Sequence, residues 1–359
     1  MPRLAAICLA LLYAALPAHA FDASVGRITV ERVADGLEEP WSVAFLPGGD
    51  ILVTERDGRL LRMGPDGTGI RSVAGVPQVF ARGQGGLFDV LVPRDFPQTG
   101  EILLSYARPQ ARGAGTALAA ARLEGDRLTD LRILWEMPPG TSGGRHFGGR
   151  IVEGPKGEIY LTTGDRGAKN PAQDPDSGAG KVIRVARDGT PAPAQVSGGV
   201  AGLWSLGHRN PQGLALDNDG QLWASEHGAM GGDEVNRIEA GANYGWPIIA
   251  YGRNYNGTRI GIGTEAPGLK QPAHFWDPSI APSGHVVYSG RLWPDWAGRH
   301  LIGSLKFDYI AVLDPEAGWR EEKLRGPETG RVRHIAEAPD GTIWFLSVER
   351  GALYRMTPG

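Results

Sequence analysis

Six times along this chain an apolar strand, a tight glycine-bearing turn and a second strand recur in the same order. The instances are WSVAFLPGGDILVTE (41–55), GLFDVLVPRDFPQTGEILLSYA (86–107), GRIVEGPKGEIYLTTGD (149–165), GLALDNDGQLWASE (213–226), VVYSGRLWPDWAGRHLIGSL (286–305) and HIAEAPDGTIWFLSVE (334–349). Several continue into a third strand: GRLLRM (58–63), GKVIRV (180–185) and GALYRM (351–356). One such unit cannot bury its own apolar face, so successive copies must stack on one another. Antiparallel units of this length, spaced by about 45–75 residues, are the signature of propeller blades. The expected fold is therefore all-β, a six-bladed β-propeller with four-stranded antiparallel blades. The strand RITVERV (27–33) precedes the first blade and is placed to complete the last one, closing the ring.

Composition agrees with that architecture. The chain holds 54 glycines and 27 prolines, punctuation suited to many short strands and turns. A β-sandwich would not need the same unit six times. A doubly wound α/β fold fares worse. The loop Gly83-Gln84-Gly85-Gly86 leads into strand-like residues, not a helix, and Gly178-Ala179-Gly180-Lys181 lacks the earlier glycine and the hydroxyl of a phosphate loop.

The start of the chain reads as an export signal. Met1-Pro2-Arg3 is a short positive start, residues 4–16 are apolar, and Ala18-His19-Ala20 has the form of a cleavage site. The expectation is a signal peptide over 1–20, cut after Ala20, and a single propeller domain over 21–359 in the periplasm. That apolar run is too short for a membrane span, and none is expected later. The only cysteine, Cys8, would leave with the signal, so the core and not disulfides must hold the fold. With 37 basic and 40 acidic residues, formal net charge −3, nothing supports a nucleic-acid partner.

In a propeller, loops at one face ring a central depression, and polar residues from different blades converge there. The sequence offers His146, with Asp165 as a possible partner; the cations Arg209, Lys306, Arg331 and Arg333; the amides Gln84 and Asn210; and the small-residue loop at Gly228 and Ala229. Singly, each has a plainer reading: a turn histidine, solvated strand-end charges, a turn aspartate. Asp217-Asn218-Asp219-Gly220 mimics the start of a calcium loop but lacks its remaining ligands, so it reads as a hairpin turn. No zinc motif occurs. As a set, a histidine base, four cations for a polyanion and carbonyls suited to a hard cation such as Ca²⁺ fit a redox cofactor site better than a hydrolase triad.

Nine motifs carry a resemblance. GQGGL (83–87), HFGGR (146–150), GD-x-G (164–167), LGHRNPQG (206–213), SEHG (225–228), GGDE-x-N (231–236), NYGWP (243–247), SLK (304–306) and R-x-R (331–333) occur in the order seen in the soluble quinoprotein sugar dehydrogenases. More narrowly, the chain resembles the aldose sugar dehydrogenases of that family, which use pyrroloquinoline quinone (PQQ) and Ca²⁺. The resemblance runs from about Leu37 to the C-terminus and implies oxidation of an aldose at C1 to the lactone. It implies His146 as the base, oriented by Asp165, and Arg209 stabilising charge at the quinone oxygens. Gln84 would line the pocket, Asn210 would bind the cofactor, and Lys306, Arg331 and Arg333 would hold its carboxylates. The carbonyls of Gly228 and Ala229 would bind the Ca²⁺ at the quinone, and Glu234 and Tyr244 match a second, structural Ca²⁺ site. Electrons would pass to an acceptor such as a cytochrome, a quinone or an artificial dye.

The sequence departs from the glucose-oxidising members at Arg145, where they have a carboxylate, at His227, where they have an amide, and at Ala229, where they have proline. These touch the choice of sugar. Around Trp276-Asp277-Pro278 the match holds only with a one-residue shift, which leaves the aromatic wall of the pocket undefined. Few long insertions separate the blades, so a monomer with an open cleft is expected. The main alternative is a propeller lactonase or Ca²⁺-dependent hydrolase, which needs side-chain carboxylates at its metal and has no use for three further cations. A non-catalytic binding propeller is the third.

Overall fold

The inner strands of six antiparallel sheets form a ring. In the computed structural model, which describes residues 19–359, these strands are Pro40–Phe45, Leu87–Leu91, Gly148–Glu153, Pro211–Leu216, Pro282–Val287 and Val332–Glu337. Each packs against the next, and Val332–Glu337 packs back on Pro40–Phe45. Blades one to five have four strands each, ordered from the axis outward as they follow in the chain. The protein is a six-bladed β-propeller.

Blade six joins the two ends of the chain. Gly26–Ala34 pairs antiparallel with Ala352–Pro358, as the position of RITVERV led us to expect. One difference appears here: His19–Ala23 pairs in turn with Gly26–Ala34, giving this blade a fifth, outermost strand. The signal expected over 1–20 lies outside the described residues except for His19 and Ala20, which begin that strand.

The core is divided into layers. The six largest buried clusters among the described residues each draw on two neighbouring blades; Leu104 and Leu52, for example, share one cluster, and Phe345 and Leu301 another. A strand between two such layers is covered on both faces. Ile51–Glu55, Ile159–Thr163, His300–Ser304 and Ile343–Ser347 are accordingly buried at every position. This is why the second strand of each repeat does not alternate cleanly between apolar and polar residues.

All six inner strands share one irregularity. Each loses register with its second strand close to its own start, at Pro40/Ser42, Leu87/Val90, Gly148/Ile151, Pro211/Gly213, Pro282/His285 and Val332/His334. Such bulges re-aim side chains and end pairing. Here they do so at the same mouth of the ring six times over.

Candidate active site

At that mouth lies a cavity of about 520 Å³ to which every blade contributes. Blade one supplies Trp41 and Arg56, blade two Gln84 and Phe88, and blade three Phe147 and Gly148. Blade four supplies Asn210, Gln212 and His227, blade five Leu305 and Lys306, and blade six Arg331 and Arg333. A smaller cavity adjoins it, lined by Arg209, Gly228, Ala229, Glu234, Tyr244 and Trp246 among others. His227 lines both. Five of the expected residues thus face the larger cavity and five the smaller.

His146 and Asp165 line neither cavity themselves but bond to residues of both, His146 to Gln84 of the larger and Asp165 to Trp246 of the smaller. His146 Nδ1 is 2.6 Å from Asp165 Oδ1, and only 12% of the histidine side chain and 1% of the aspartate side chain are exposed. The His146 main-chain N–H donates to Gln84 Oε1 at 2.7 Å. His146 has φ 52°, a left-handed backbone that a non-glycine residue adopts at a cost of about 1–2 kcal/mol. Arg166 and Arg331 share this region, with φ 57° and 48°. Strain of this kind persists where surrounding bonds over-determine it, and it concentrates at functional sites.

Electrostatics favour a neutral imidazole. Burial lowers the His146 pKa and the Asp165 hydrogen bond opposes this, but the positive charges of Arg209 and Arg145 add to burial, so the net shift is below 6.5. With Nδ1–H donating to the carboxylate, Nε2 carries the free lone pair. Burial by itself would raise the Asp165 carboxyl; hydrogen bonds from His146, Gly167 and Trp246 outweigh it and hold the group below its ordinary range. His227 is also neutral. It is pushed down to about 3 by burial and then by Arg209 and Arg333, and its Nε2–H donates to the Pro282 carbonyl at 2.8 Å.

The cations lack ion-pair partners; Glu39 lines the same cavity but pairs with Arg56. Among the described residues Arg209, Lys306, Arg331 and Arg333 make no ion pair with a carboxylate. Arg209 Nη1 donates to the His227 carbonyl at 3.2 Å, and its buried Nε has no partner. Arg331 Nη1 donates to the Leu305 carbonyl and Arg333 Nη1 to Gln212 Oε1, both at 3.0 Å. Burial, followed by repulsion from Arg150, Arg331 and Arg56, pushes Arg333 down to about 9. Cations gathered without anions are costly unless an anion joins them. These residues therefore fit the compact polycarboxylate expected from the sequence.

The loop after the second strand of blade four fits a cation. The Gly228 N–H donates to Asp233 Oδ1 at 2.7 Å, and a Cβ at Gly228 would meet the Gly231 and Gly232 carbonyl oxygens at 2.3 Å, so only glycine fits. Among the described residues no donor reaches the Gly228 carbonyl, and that of Ala229 has only Ser279 Oγ, at 3.4 Å. Deeper in, Glu226 accepts from the Arg209 N–H at 2.7 Å and lies within hydrogen-bond distance of His208 Nδ1, at 2.8 Å. Glu234 is its cross-strand partner. Burial, then the Glu226 charge, pushes the Glu234 carboxyl up. The Tyr244 hydroxyl is already engaged by the Arg237 carbonyl and the Glu239 N–H, which leaves its main-chain carbonyl for a cation.

Three residues without an expected role belong to this network. Trp246 donates its indole N–H to Asp165 Oδ2 at 2.8 Å. Gln212 bridges Arg333 and the Gly148 carbonyl. Glu226 fixes the Arg209 main chain. All three fall inside motifs already quoted, NYGWP, LGHRNPQG and SEHG, but only the folded chain shows what they touch.

A family model described as Glucose / Sorbosone dehydrogenase matches residues 37–355. Aldose sugar dehydrogenase YliI of Escherichia coli (strain K12) is 37% identical over 351 residues, covering 94% of each chain. A crystal structure of a glucose dehydrogenase superposes with a TM-score of 0.88 at 39% identity, over 92% of this chain and 99% of that one. The PQQ-bound form of an aldose sugar dehydrogenase from Streptomyces coelicolor superposes with a TM-score of 0.77 at 26% identity, over 92% and 98%.

Proposed function

The chain belongs to the Glucose / Sorbosone dehydrogenase family, and from that premise we propose that it oxidises aldose sugars at C1 to the lactone with PQQ and Ca²⁺. One observation carries the reading: a neutral, carboxylate-held histidine, His146, bonds to Gln84 at the edge of a cavity where, among the described residues, Lys306, Arg331 and Arg333 make no ion pair. The PQQ-bound relative supports the choice of polyanion.

Bound in this cavity, PQQ would supply the two-electron acceptor that takes the C1 hydrogen as hydride. The chain's own residues divide the remaining work. His146 Nε2 accepts the proton of the C1 hydroxyl, so the alkoxide from which hydride leaves is formed as the C–H bond breaks. Asp165 keeps the imidazole in the tautomer that leaves Nε2 free and stabilises the imidazolium that follows. Arg209 places a preorganised positive charge where negative charge grows. Lys306, Arg331 and Arg333 hold the cofactor carboxylates, Gln84 and Asn210 orient the bound groups, and the Gly228 and Ala229 carbonyls hold the Ca²⁺. Glu234 and the Tyr244 carbonyl serve a structural Ca²⁺.

The chain would work as an exported, periplasmic monomer that passes electrons to an external acceptor, a cytochrome, a quinone or an artificial dye. Among the described residues no helix is long and apolar enough to cross a membrane. The test is dye reduction by an aldose using protein stripped with chelator. Activity should return only when PQQ and Ca²⁺ are both added. Full activity without them, or a requirement for a nicotinamide, would overturn the proposal.

A further inference from the structure

We propose that Trp246 is a positioning residue for the catalytic base, its indole N–H fixing the Asp165 carboxylate that holds His146. This rests on the reading of His146 given above. Asp165 Oδ1 receives His146 Nδ1 at 2.6 Å and the Gly167 N–H at 2.7 Å. Its other oxygen, Oδ2, receives Trp246 Nε1 at 2.8 Å. A carboxylate held through one oxygen is free to turn about its Cβ–Cγ bond, and a donor on the second oxygen stops that turn.

Trp246 is well placed to act as the fixed end. It is 7% exposed and packs with Ala172 and Ile260. Its main-chain N–H donates to the Gly207 carbonyl at 2.9 Å, and its carbonyl accepts from Gln173 Nε2 at 2.8 Å. Gln173 is locked in turn by Asn243, whose side-chain amide both donates to it and accepts from it. A buried indole N–H usually finds an acceptor. Here the acceptor is the carboxylate that orients the base, and the Arg209 guanidinium stands 5.3 Å from the same indole ring. One side chain therefore touches the base's partner and lies beside the cation proposed to stabilise the transition state.

Loss of the N–H has a definite sign. With one donor fewer, Asp165 holds the His146 proton more strongly, so the imidazolium is stabilised and His146 titrates at a higher pH. The other charged or titratable groups facing the pair are Arg209 and His227 from blade four and Arg145 and Arg166 from blade three, and none of them is altered. Trp246→Phe removes the donor and keeps a ring.

Histidine-labelled protein without cofactor should show by NMR a higher His146 pKa in Trp246→Phe than in wild type. With PQQ and Ca²⁺ saturating, kcat should fall roughly 10–100-fold, the range for losing the outer-shell partner of a metal-bound histidine. Its acid limb should move to higher pH, with KM for the sugar within a few-fold. An unshifted His146 titration, or a slower enzyme with an unshifted acid limb, would overturn the proposal. In wild type, the Trp246 indole N–H resonance should move as His146 titrates; an indole that does not respond overturns it even if the variant fails to fold. Failure of the functional reading looks different: His146→Gln would then turn over at the wild-type rate, and the role would vanish along with the base.

Discussion

Glu226 and Glu234 stand opposite each other on adjacent strands of blade four, two carboxylates in direct register at the edge of the smaller cavity. Like charges so placed destabilise a sheet, and Asn236 bridges them as a hydrogen-bond donor without neutralising either. A divalent cation would. Calcium should therefore raise the melting temperature of the protein in the absence of PQQ; a ligand at 100 times its Kd contributes about 2.7 kcal/mol. Glu234→Gln should lose most of that gain and, above pH 8, where Glu234 is ionised without metal, should melt above wild type in chelator, because the repulsion is gone. A melting temperature indifferent to calcium in both proteins would contradict this.

The site cations differ in burial, and their effects should differ accordingly. Arg333 is half-buried, whereas Lys306 and Arg331 are both exposed. Truncating one partner of a desolvated charge pair costs about 2–5 kcal/mol, whereas a rim charge acts mainly on the association rate. Arg333→Ala should weaken PQQ binding by some 30-fold to several-thousand-fold. Lys306→Ala and Arg331→Ala should do so less, with a loss that diminishes in high salt. Equilibrium titration with PQQ at two ionic strengths checks the order. Unchanged affinity in all three would make them ordinary surface charges.

Stability should fall on the acid side of neutrality. His300 is 2% exposed, its Nδ1 lies 2.9 Å from His285 Nε2, and burial pushes its pKa down to about 4. Burial also holds His285 well below 6.5. The unfolded chain takes up these protons near pH 6.5 and the folded chain does not, so stability present above that pH drains away as pH falls toward 4. The slope is about 1.4 kcal/mol per pH unit for each such histidine. Urea unfolding at pH 7 and pH 5 should show the loss, and His300→Asn should flatten it. Equal stability at the two pH values would contradict the account.

The repeats, the closing strand at 27–33 and the hairpin at Asp217-Asn218-Asp219-Gly220 were legible because each is a local pattern of turns and apolar residues. The fifth strand of blade six was not, because His19 and Ala20 also fit a cleavage signal. His146 and Asp165, 19 positions apart, could be paired through the motifs that contain them. The link from Trp246 to Asp165 crosses 81 positions and that from Arg333 to Gln212 crosses 121, and no periodicity spans such distances. Nor does the sequence show that Arg209, Lys306, Arg331 and Arg333 lack carboxylate partners, although acidic residues outnumber basic ones in the chain. That depends on where every other acidic side chain comes to rest.

In the proposed reaction His146 takes the sugar proton, and stopped-flow reduction of bound PQQ by excess aldose measures that step directly. His146→Gln keeps a polar side chain of similar reach but cannot accept the proton. Its rate should fall about 10²–10⁴-fold, as for other positioned bases, with PQQ and Ca²⁺ affinity little changed. The wild-type rate should decline only below pH 6.5, because burial and Arg209 lower the imidazole pKa, and the variant should lack that decline. A His146→Gln protein that reduces PQQ within a few-fold of the wild-type rate would contradict the account.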